Sequence, residues 1–307
     1  MERKIVEYND NLELYVKQVS DIFDVSRIID APQERSQIIN YYLMNKLTYR
    51  LGYNWEGFLH FGISYDGKYK KEDCKEHARI VERYIQATDA KNVLELGYGW
   101  GLNSAFLARR NPHVTFEAID LSNKPLRRFA KIPNVRFHTG DYHDLSMFED
   151  NSFDIAFVLE ALCYSTNKVH VLREVKKKLR KDGLFIVIEG YQKDCAIPLS
   201  QSEDIAWKLI SKGMAVEKIE CLTDVENYMQ QEYSIAEAED LSQCILPSLD
   251  RQESRVRHYF RHPYYARAVN KLLPLDIVKN FAVVLLLATI VRRQVACYYL
   301  HVLRNDQ

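Results

Sequence analysis

The chain has 307 residues, is 47% hydrophobic and 12% aromatic, and balances 42 Lys+Arg against 42 Asp+Glu. That apolar content builds one large domain with its own core, or a domain plus a cap, and zero net charge leaves no electrostatic footprint for nucleic acid. The six cysteines, Cys74, Cys163, Cys195, Cys221, Cys244 and Cys297, form no C-x-x-C pair and no metal-type cluster with histidine, which fits a reducing, cytoplasmic setting.

Met1-Glu2-Arg3-Lys4 leads into a charged stretch without an apolar core, so no signal peptide is expected there. Residues 1–50 read as helical. Leu12, Leu14, Tyr15, Val19, Ile22 and Phe23 recur near helical spacing, and Ile38 to Leu47 continues the pattern after Pro32. The aromatic run Tyr53-Asn54-Trp55-Glu56-Gly57-Phe58-Leu59-His60-Phe61-Gly62 follows. It is either a buried linker or a gate over a substrate. Residues 1–73 are therefore expected to form an N-terminal helical lid with an aromatic gating segment.

A regular α/β alternation occupies residues 74–223. The pattern predicts helix 74–87, strand 92–96, helix 102–110, strand 114–119, helix 124–131, strand 135–138, strand 153–158, helix 168–180 and strand 184–189. Lys181-Asp182-Gly183 is the expected turn into that last strand. A helix over 203–212 and a strand over 216–222 should continue the sheet. Such alternation means a mostly parallel sheet with helices on both faces and ligands at the carboxyl ends of the strands.

Residues 224–294 read as a helical cap over the substrate side, interrupted at Pro247, Pro263 and Pro274. Residues 295–307 should supply a final strand returning antiparallel to the sheet. The most apolar run, Phe281 to Val291, is too short to span a bilayer. It reads as a buried helix or a monotopic membrane contact.

The chemistry starts at Val93-Leu94-Glu95-Leu96-Gly97-Tyr98-Gly99-Trp100-Gly101, a buried strand running into a glycine turn and then a helix. Glycine permits positive φ and a close approach of ligand to backbone. The helix behind it turns free N–H groups and its positive dipole end toward the turn. A dinucleotide fingerprint would need glycine at 102, where the chain has Leu102. Asp120 ends the next strand, about 20 residues on, where an acid can accept hydrogen bonds from ribose hydroxyls. Gly140-Asp141 follows the third strand, and Phe153 to Glu160 makes an apolar central strand ending in an acid.

The Glu95-x-Gly97-x-Gly99-x-Gly101 arrangement resembles the first motif of class I methyltransferases that use S-adenosyl-L-methionine (SAM). Asp120, Asp141 and the 153–160 strand follow in that family's order. The resemblance implies an α/β fold: a Rossmann-like class I methyltransferase sheet with an N-terminal helical lid and a helical cap inserted late in the chain. It implies SAM as cofactor, held by Glu95, Gly97, Gly99, Gly101, Asp120, Leu121, Asp141, Tyr142 and Leu159. With those motifs intact, a SAM-fold module that only binds is the least favoured reading.

Leu159-Glu160-Ala161-Leu162-Cys163-Tyr164-Ser165 resembles the Glu-Ala-x-Cys-His-Ala segment of sterol C-methyltransferases, with Tyr164 and Ser165 replacing histidine and alanine. Glu189-Gly190-Tyr191 stands where those relatives carry an acid followed by an aromatic. The 53–62 stretch is similar to their aromatic signature, with an acidic/aromatic doublet and one glycine altered. That branch implies C-methylation of an alkene through a carbocation. Glu160 is then the expected base, with Tyr53, Trp55, Phe58, Tyr164 and Tyr191 as aromatic faces and His60 beside them. The alternative is N- or O-methylation of a small metabolite, with a carboxylate or histidine orienting the nucleophile.

The acceptor implied is a hydrophobic small molecule or lipid: isoprenoid, sterol-like or a prenyl diphosphate. From Arg251 to Arg304 ten Lys/Arg face only Glu253 and Asp276, a local balance of +8. Within it Arg255, Arg257, Arg261, His262 and Arg267 interleave with Tyr259, Phe260, Tyr264 and Tyr265. This is either a solvated helix face or an anion site for a diphosphate or lipid headgroups. No metal and no nucleic acid is expected. A peripheral membrane contact and a homo-oligomer stay open.

Overall fold

The structure, a computed structural model, describes residues 11–31, 57–58, 60–121, 125–272 and 275–306. The expected helix over 38–47 and the candidate residues Tyr53 and Trp55 lie outside the described residues. Helix α1 (Leu12–Ile22) buries Leu12, Tyr15, Val16 and Val19, the i, i+3, i+4, i+7 stripe of a helix lying on a core. A short α2 (Val25–Asp30) follows, N-capped by the Asp24 side chain. A 3₁₀ turn (Lys71–Lys75) then leads into α3 (Glu76–Thr88).

The central layer is built from β1 (Asn92–Leu96), α4 (Leu102–Arg110), β2 (Thr115–Asp120), β3 (Val135–Thr139), β4 (Phe153–Leu159), α5 (Lys168–Lys178) and β5 (Leu179–Gln192). Then come α6 (Gln201–Gly213), α7 (Leu222–Glu232), β6 (Ser234–Asp240), α8 (Ser242–Arg261), α9 (Pro263–Leu272), α10 (Leu275–Arg292) and β7 (Ala296–Arg304). The strands form one sheet in the order β3-β2-β1-β4-β5-β7-β6. β1 to β5 pair in parallel, and β7 and β6 are antiparallel. The central β4 is buried along nearly its whole length, as a parallel strand covered on both faces must be. One face of the sheet packs against α1, α3, α6, α8 and α10, and the other against α5 and α7. The returning antiparallel strand is β7, as the sequence led one to expect.

Four expectations are corrected. Residues 125–132 are not helical: Phe129 N–H bonds to Leu126 O at 2.7 Å and Ile132 N–H to Phe129 O at 3.0 Å, successive turns confined between Pro125 and Pro133. Proline and the residue before it resist helix. Lys181-Asp182-Gly183 is a register shift within the long β5, with Asp182 at φ 61°, rather than a turn ahead of a separate strand. Residues 216–222 do not extend the sheet, because β7 takes the free edge of β5 from Leu184↔Arg304 to Gln192↔Ala296. Only an isolated bridge joins Gln192 to Cys221.

The fourth correction falls in the cap. It contains β6, whose Ala and Glu content reads as helix but which pairs with β7 at the sheet edge. Packing on a neighbour overrides propensity there, and Glu237, Glu239 and Asp240 give that edge charges that discourage further pairing. Helix α8 also runs through Pro247. That proline sits in the second turn, where the buried Ile245, Ser248, Leu249 and Gln252 hold both sides.

The run 281–291 is a core helix. Ala282, Val283, Leu285, Leu286, Ala288, Ile290 and Val291 are all buried, against α6 and α8. Among the described residues no helix is long and apolar enough to cross a membrane. A Cβ built on Gly213, at the end of α6, would lie 2.2 Å from Val283 Cγ2. Gly213→Ala should therefore overpack the α6–α10 contact and destabilise the fold by about 1–3 kcal/mol. A thermal melt checks this, and Val283→Ala in the same chain should recover part of the loss.

Candidate active site

The strand order reverses between β1 and β4, and the loops leaving their carboxyl ends diverge to open a crevice. On one side stands the glycine turn. Gly97, Gly99 and Gly101 all have positive φ, at 72°, 55° and 78°. A Cβ on Gly97 would come within 2.5 Å of Ala161 Cβ, so the turn closes on the loop after β4 only without a side chain. Gly99 N–H donates to Asp120 Oδ2 at 2.9 Å, which fixes the acid at the end of β2 beside the turn. Leu121 follows it, half-buried.

Glu95 is buried and faces the start of α4. It accepts from Ser104 N–H at 3.2 Å, from the Ser104 hydroxyl and from Asn103 Nδ2 at 3.5 Å. Burial pushes its carboxyl up to about 7 against these hydrogen bonds. Its part is to brace the turn and the helix, so it shapes the cradle from behind. Asp141 accepts from His143 N–H at 3.0 Å, and Tyr142 OH donates to Ala161 O at 2.9 Å. Leu159 is buried at the end of β4.

Across the crevice lies a cavity of about 160 Å³. Its wall includes Glu160 after β4, Glu189 and Tyr191 at the end of β5, and Tyr298 on β7. Apolar side chains of α6, α8 and α10 complete it, among them Trp207, Ile210, Ile245, Phe281 and Leu287. Glu160 adopts φ 49°, the left-handed region that a non-glycine residue rarely takes. Only 14% of its side chain is exposed.

Glu160 Oε1 accepts from Tyr298 OH at 2.6 Å and from Phe61 N–H at 3.2 Å. Burial, reinforced by the nearby Glu189, pushes the Glu160 carboxyl up to about 8, while those two hydrogen bonds pull the other way. Tyr298 OH also meets His77 Nε2 at 2.6 Å. With Glu160 ionised, Tyr298 donates to it and accepts from His77 Nε2–H, which leaves His77 Nδ1 as the nitrogen without a partner among the described residues. Complete burial keeps His77 well below the usual histidine range, hence neutral.

Glu189 Oε2 accepts from Cys163 N–H at 2.9 Å, and burial raises its pKa too. Tyr164 lines the cavity while its hydroxyl donates to Met214 O at 3.1 Å. Tyr191 is 2% exposed, and its hydroxyl has no hydrogen-bond partner among the described residues.

Two aromatic-segment candidates sit elsewhere than expected. Phe58 packs with Trp100, Leu102 and Phe129 beside the glycine turn. His60 is buried against His77, ring centroids 3.9 Å apart, with Nε2 3.2 Å from Asn103 Oδ1. It does not line that cavity, and it links the Glu95 cluster to His77. The segment supplies Phe61 to the cavity and is stitched to α8 through Gly62 N–H to Ser248 Oγ at 3.1 Å.

Sequence reasoning missed Tyr298, His77, Trp207 and Phe281. Tyr298 pairs opposite Gly190 in the β5–β7 register. That register is the signal that brings it to Glu160, and it is not legible along the chain. Of the basic stretch, Arg255 alone reaches the cavity wall. Arg257 is engaged by Glu253 at 2.7 Å, Arg267 donates to Asp21 O at 2.7 Å, and Arg261 is exposed.

A family described as a methyltransferase domain matches residues 94–187. The chain is 32% identical over 118 residues to demethylmenaquinone methyltransferase of Thermotoga maritima, covering 38% of this chain and 51% of that protein. To sterol 24-C-methyltransferase of Debaryomyces hansenii it is 25% identical over 156 residues, covering 49% of this chain and 41% of that one. The chain spans about half the length, or less, of these relatives. Geranyl diphosphate C-methyltransferase from Streptomyces coelicolor A3(2) shares the fold, with a TM-score of 0.62 at 16% identity over 90% of this chain and 99% of that one.

The chain therefore carries a class I SAM-dependent methyltransferase domain. Within that class it resembles the sterol C-methyltransferase branch, and the domain match supports SAM as its cofactor. The three positive-φ glycines of the turn and the acid pinned beside it fit that ligand. Gly99→Val should abolish binding of S-adenosylhomocysteine in a chain that still folds, because a branched side chain would stand where the ligand meets the backbone. Asp120→Ala should weaken it about tenfold to a hundredfold, the worth of a hydrogen bond to a charged group. Calorimetric titration of both variants checks this, and wild-type affinity in either would remove that residue from the site.

Proposed function

We propose that this protein C-methylates an alkene in an apolar, isoprenoid-type acceptor, with Glu160 as the base. The observation that carries the reading is a carboxyl pushed up to about 8 in the wall of a cavity otherwise largely aromatic and aliphatic. The sequence similarity to sterol 24-C-methyltransferases supports it, as does the shared fold of a geranyl diphosphate C-methyltransferase.

In this reading Gly97 and Gly99 give the cofactor its approach, Asp120 takes its ribose hydroxyls and Asp141 its adenine edge. SAM, when bound, would supply an electrophilic methyl group: the acceptor's π pair would form the new C–C bond as the methyl–sulfur bond breaks, its electrons staying on the departing S-adenosylhomocysteine, with positive charge left on the neighbouring acceptor carbon. Phe61, Tyr164, Tyr191, Trp207, Phe281 and Tyr298 offer ring faces to that charge, each worth about 0.5–2 kcal/mol when desolvated. Glu160 then removes a proton from a carbon next to the cation, and the C–H pair becomes the new double bond. Tyr298 and the Phe61 N–H hold the carboxylate in place for this transfer. The same cavity wall excludes water, which would otherwise quench the cation.

One observation favours a second reading. Glu189 lies close enough to Glu160 to raise its pKa, and two carboxyls among aromatic rings also suit an amine, hence N-methylation. For the head of the acceptor, Gln252, Arg255 and Asn280 are the polar residues that α8 and α10 bring to the cavity. A phosphate or hydroxyl there would meet one arginine rather than a cluster.

Incubation with methyl-labelled SAM and a panel of prenyl alcohols, prenyl diphosphates and sterols tests the proposal. Label in a new C–C bond is the expected result, and label on nitrogen or oxygen alone would overturn it. Glu160→Gln should lower turnover by about 10²–10⁴, the range of a general base, with SAM affinity kept.

Because Glu160 works as a base only when ionised, wild-type turnover should rise with pH and level off above about 8. Tyr298→Phe removes a hydrogen bond that favours the carboxylate, so the rising limb should move to higher pH. A pH–rate profile of the two proteins checks the sign. A limb that stays in place would mean that Tyr298 does not act on the base.

A further inference from the structure

The face that the fold leaves unexplained is that of α9. This helix buries Ala266 against its neighbours and turns Tyr264, Ala268 and Leu272 to solvent at i, i+4 and i+8, a straight stripe along one side of a helix. Tyr264 is 88% exposed, Leu272 84% and the adjacent Tyr265 54%; they are three of the six exposed large apolar side chains among the described residues. A soluble helix does not put a tyrosine and a leucine there without a reason, because contiguous exposed apolar surface marks an interaction site.

The charge around the stripe is of one sign. From Ser254 to Leu275 the sequence has no Asp or Glu and carries Arg255, Arg257, Arg261, Arg267 and Lys271. Arg261, Arg267 and Lys271 are exposed on or next to α9. An interfacial helix has this composition: an apolar edge that dips to the acyl boundary, tyrosine at headgroup level, and flanking cations for anionic lipid. The run 281–291, the sequence's own candidate for a membrane contact, is buried in the core and does not compete for the role. α9 also joins α8 to α10, the two cap helices that line the acceptor cavity.

We infer that α9 is a docking surface for an anionic bilayer, seated by Tyr264, Tyr265 and Leu272 and held by Arg261 and Lys271. The inference does not depend on which atom the protein methylates, and its test needs no turnover. The whole protein is sedimented with vesicles of phosphatidylcholine alone and of phosphatidylcholine mixed with phosphatidylglycerol. Binding to the mixed vesicles only, weakening as salt is added, is the expected result.

Arg261→Gln with Lys271→Gln should lower the partition about twentyfold to thirtyfold, at about fivefold for each cation beside an anionic surface. Tyr264→Ser with Leu272→Ser should lower it further by removing the apolar edge. All four side chains are exposed, so unchanged melting and unchanged S-adenosylhomocysteine affinity serve as the controls for folding. Three results would overturn the inference: no binding to mixed vesicles at low salt, equal binding by both double variants, or a wild-type dimer that the serine variant fails to form. The last would give the face to a second copy of the chain.

Discussion

Everything at the site follows from one constraint on the sheet. Five parallel strands end on the same edge, and their order reverses once, between β1 and β4. Loops leaving the two halves must part there. The glycine turn after β1 and the acid-bearing loop after β4 are thus neighbours by topology, and the close contact of Gly97 with Ala161 is the point at which they touch. The antiparallel β7 then brings a hydroxyl from the far end of the chain onto Glu160. Cofactor cradle and acceptor cavity share the β4 loop, so a shift of that loop would be felt on both sides.

Helix α1 is attached by charge as much as by apolar packing. Glu253 on α8 is 1% exposed. It accepts from Tyr15 of α1 at 2.6 Å and from Arg257 at 2.7 Å, with Arg292 of α10 at 3.7 Å. A carboxylate so buried is costly without partners, so the N-terminal helix, α8 and α10 are held in one register by the need to satisfy it. The same network explains why most of the basic stretch does not face the acceptor. Arg257 and Arg292 serve the cap, Arg267 ties α9 to α1, and Arg255 is left to the cavity wall.

Much of this was legible along the chain because its signals are local. Alternation of apolar residues located β1 to β5, and the spacing of Gly97, Gly99 and Gly101 located the turn. Asp120 and Glu160 could be named because each ends a strand. What was not legible is what strands and helices do to one another at a distance. Tyr298 stands 138 residues from Glu160, and nothing near either residue announces the pairing. β6 carries helix-forming residues and becomes a strand only because β7 offers it an edge. His77 looked like one more residue of an amphipathic helix until Tyr298 arrived opposite it. The 216–222 segment failed for the complementary reason, a sheet position already filled.

Glu160 sits under two penalties at once: a left-handed backbone, φ 49°, and a carboxyl largely removed from water. Asparagine or glycine would relieve both, since either tolerates that backbone and neither carries the charge. Against that relief stands the loss of the acceptor that Tyr298 and the Phe61 N–H now share. On the proposed reading of Glu160 as the base, selection for turnover is what would keep glutamate there. Position 160 can thus serve as a diagnostic across chains of this fold. On the same reading, an acid in the left-handed corner after β4 would mark a lineage still under selection for this chemistry, and glycine or asparagine one in which the scaffold serves some other use.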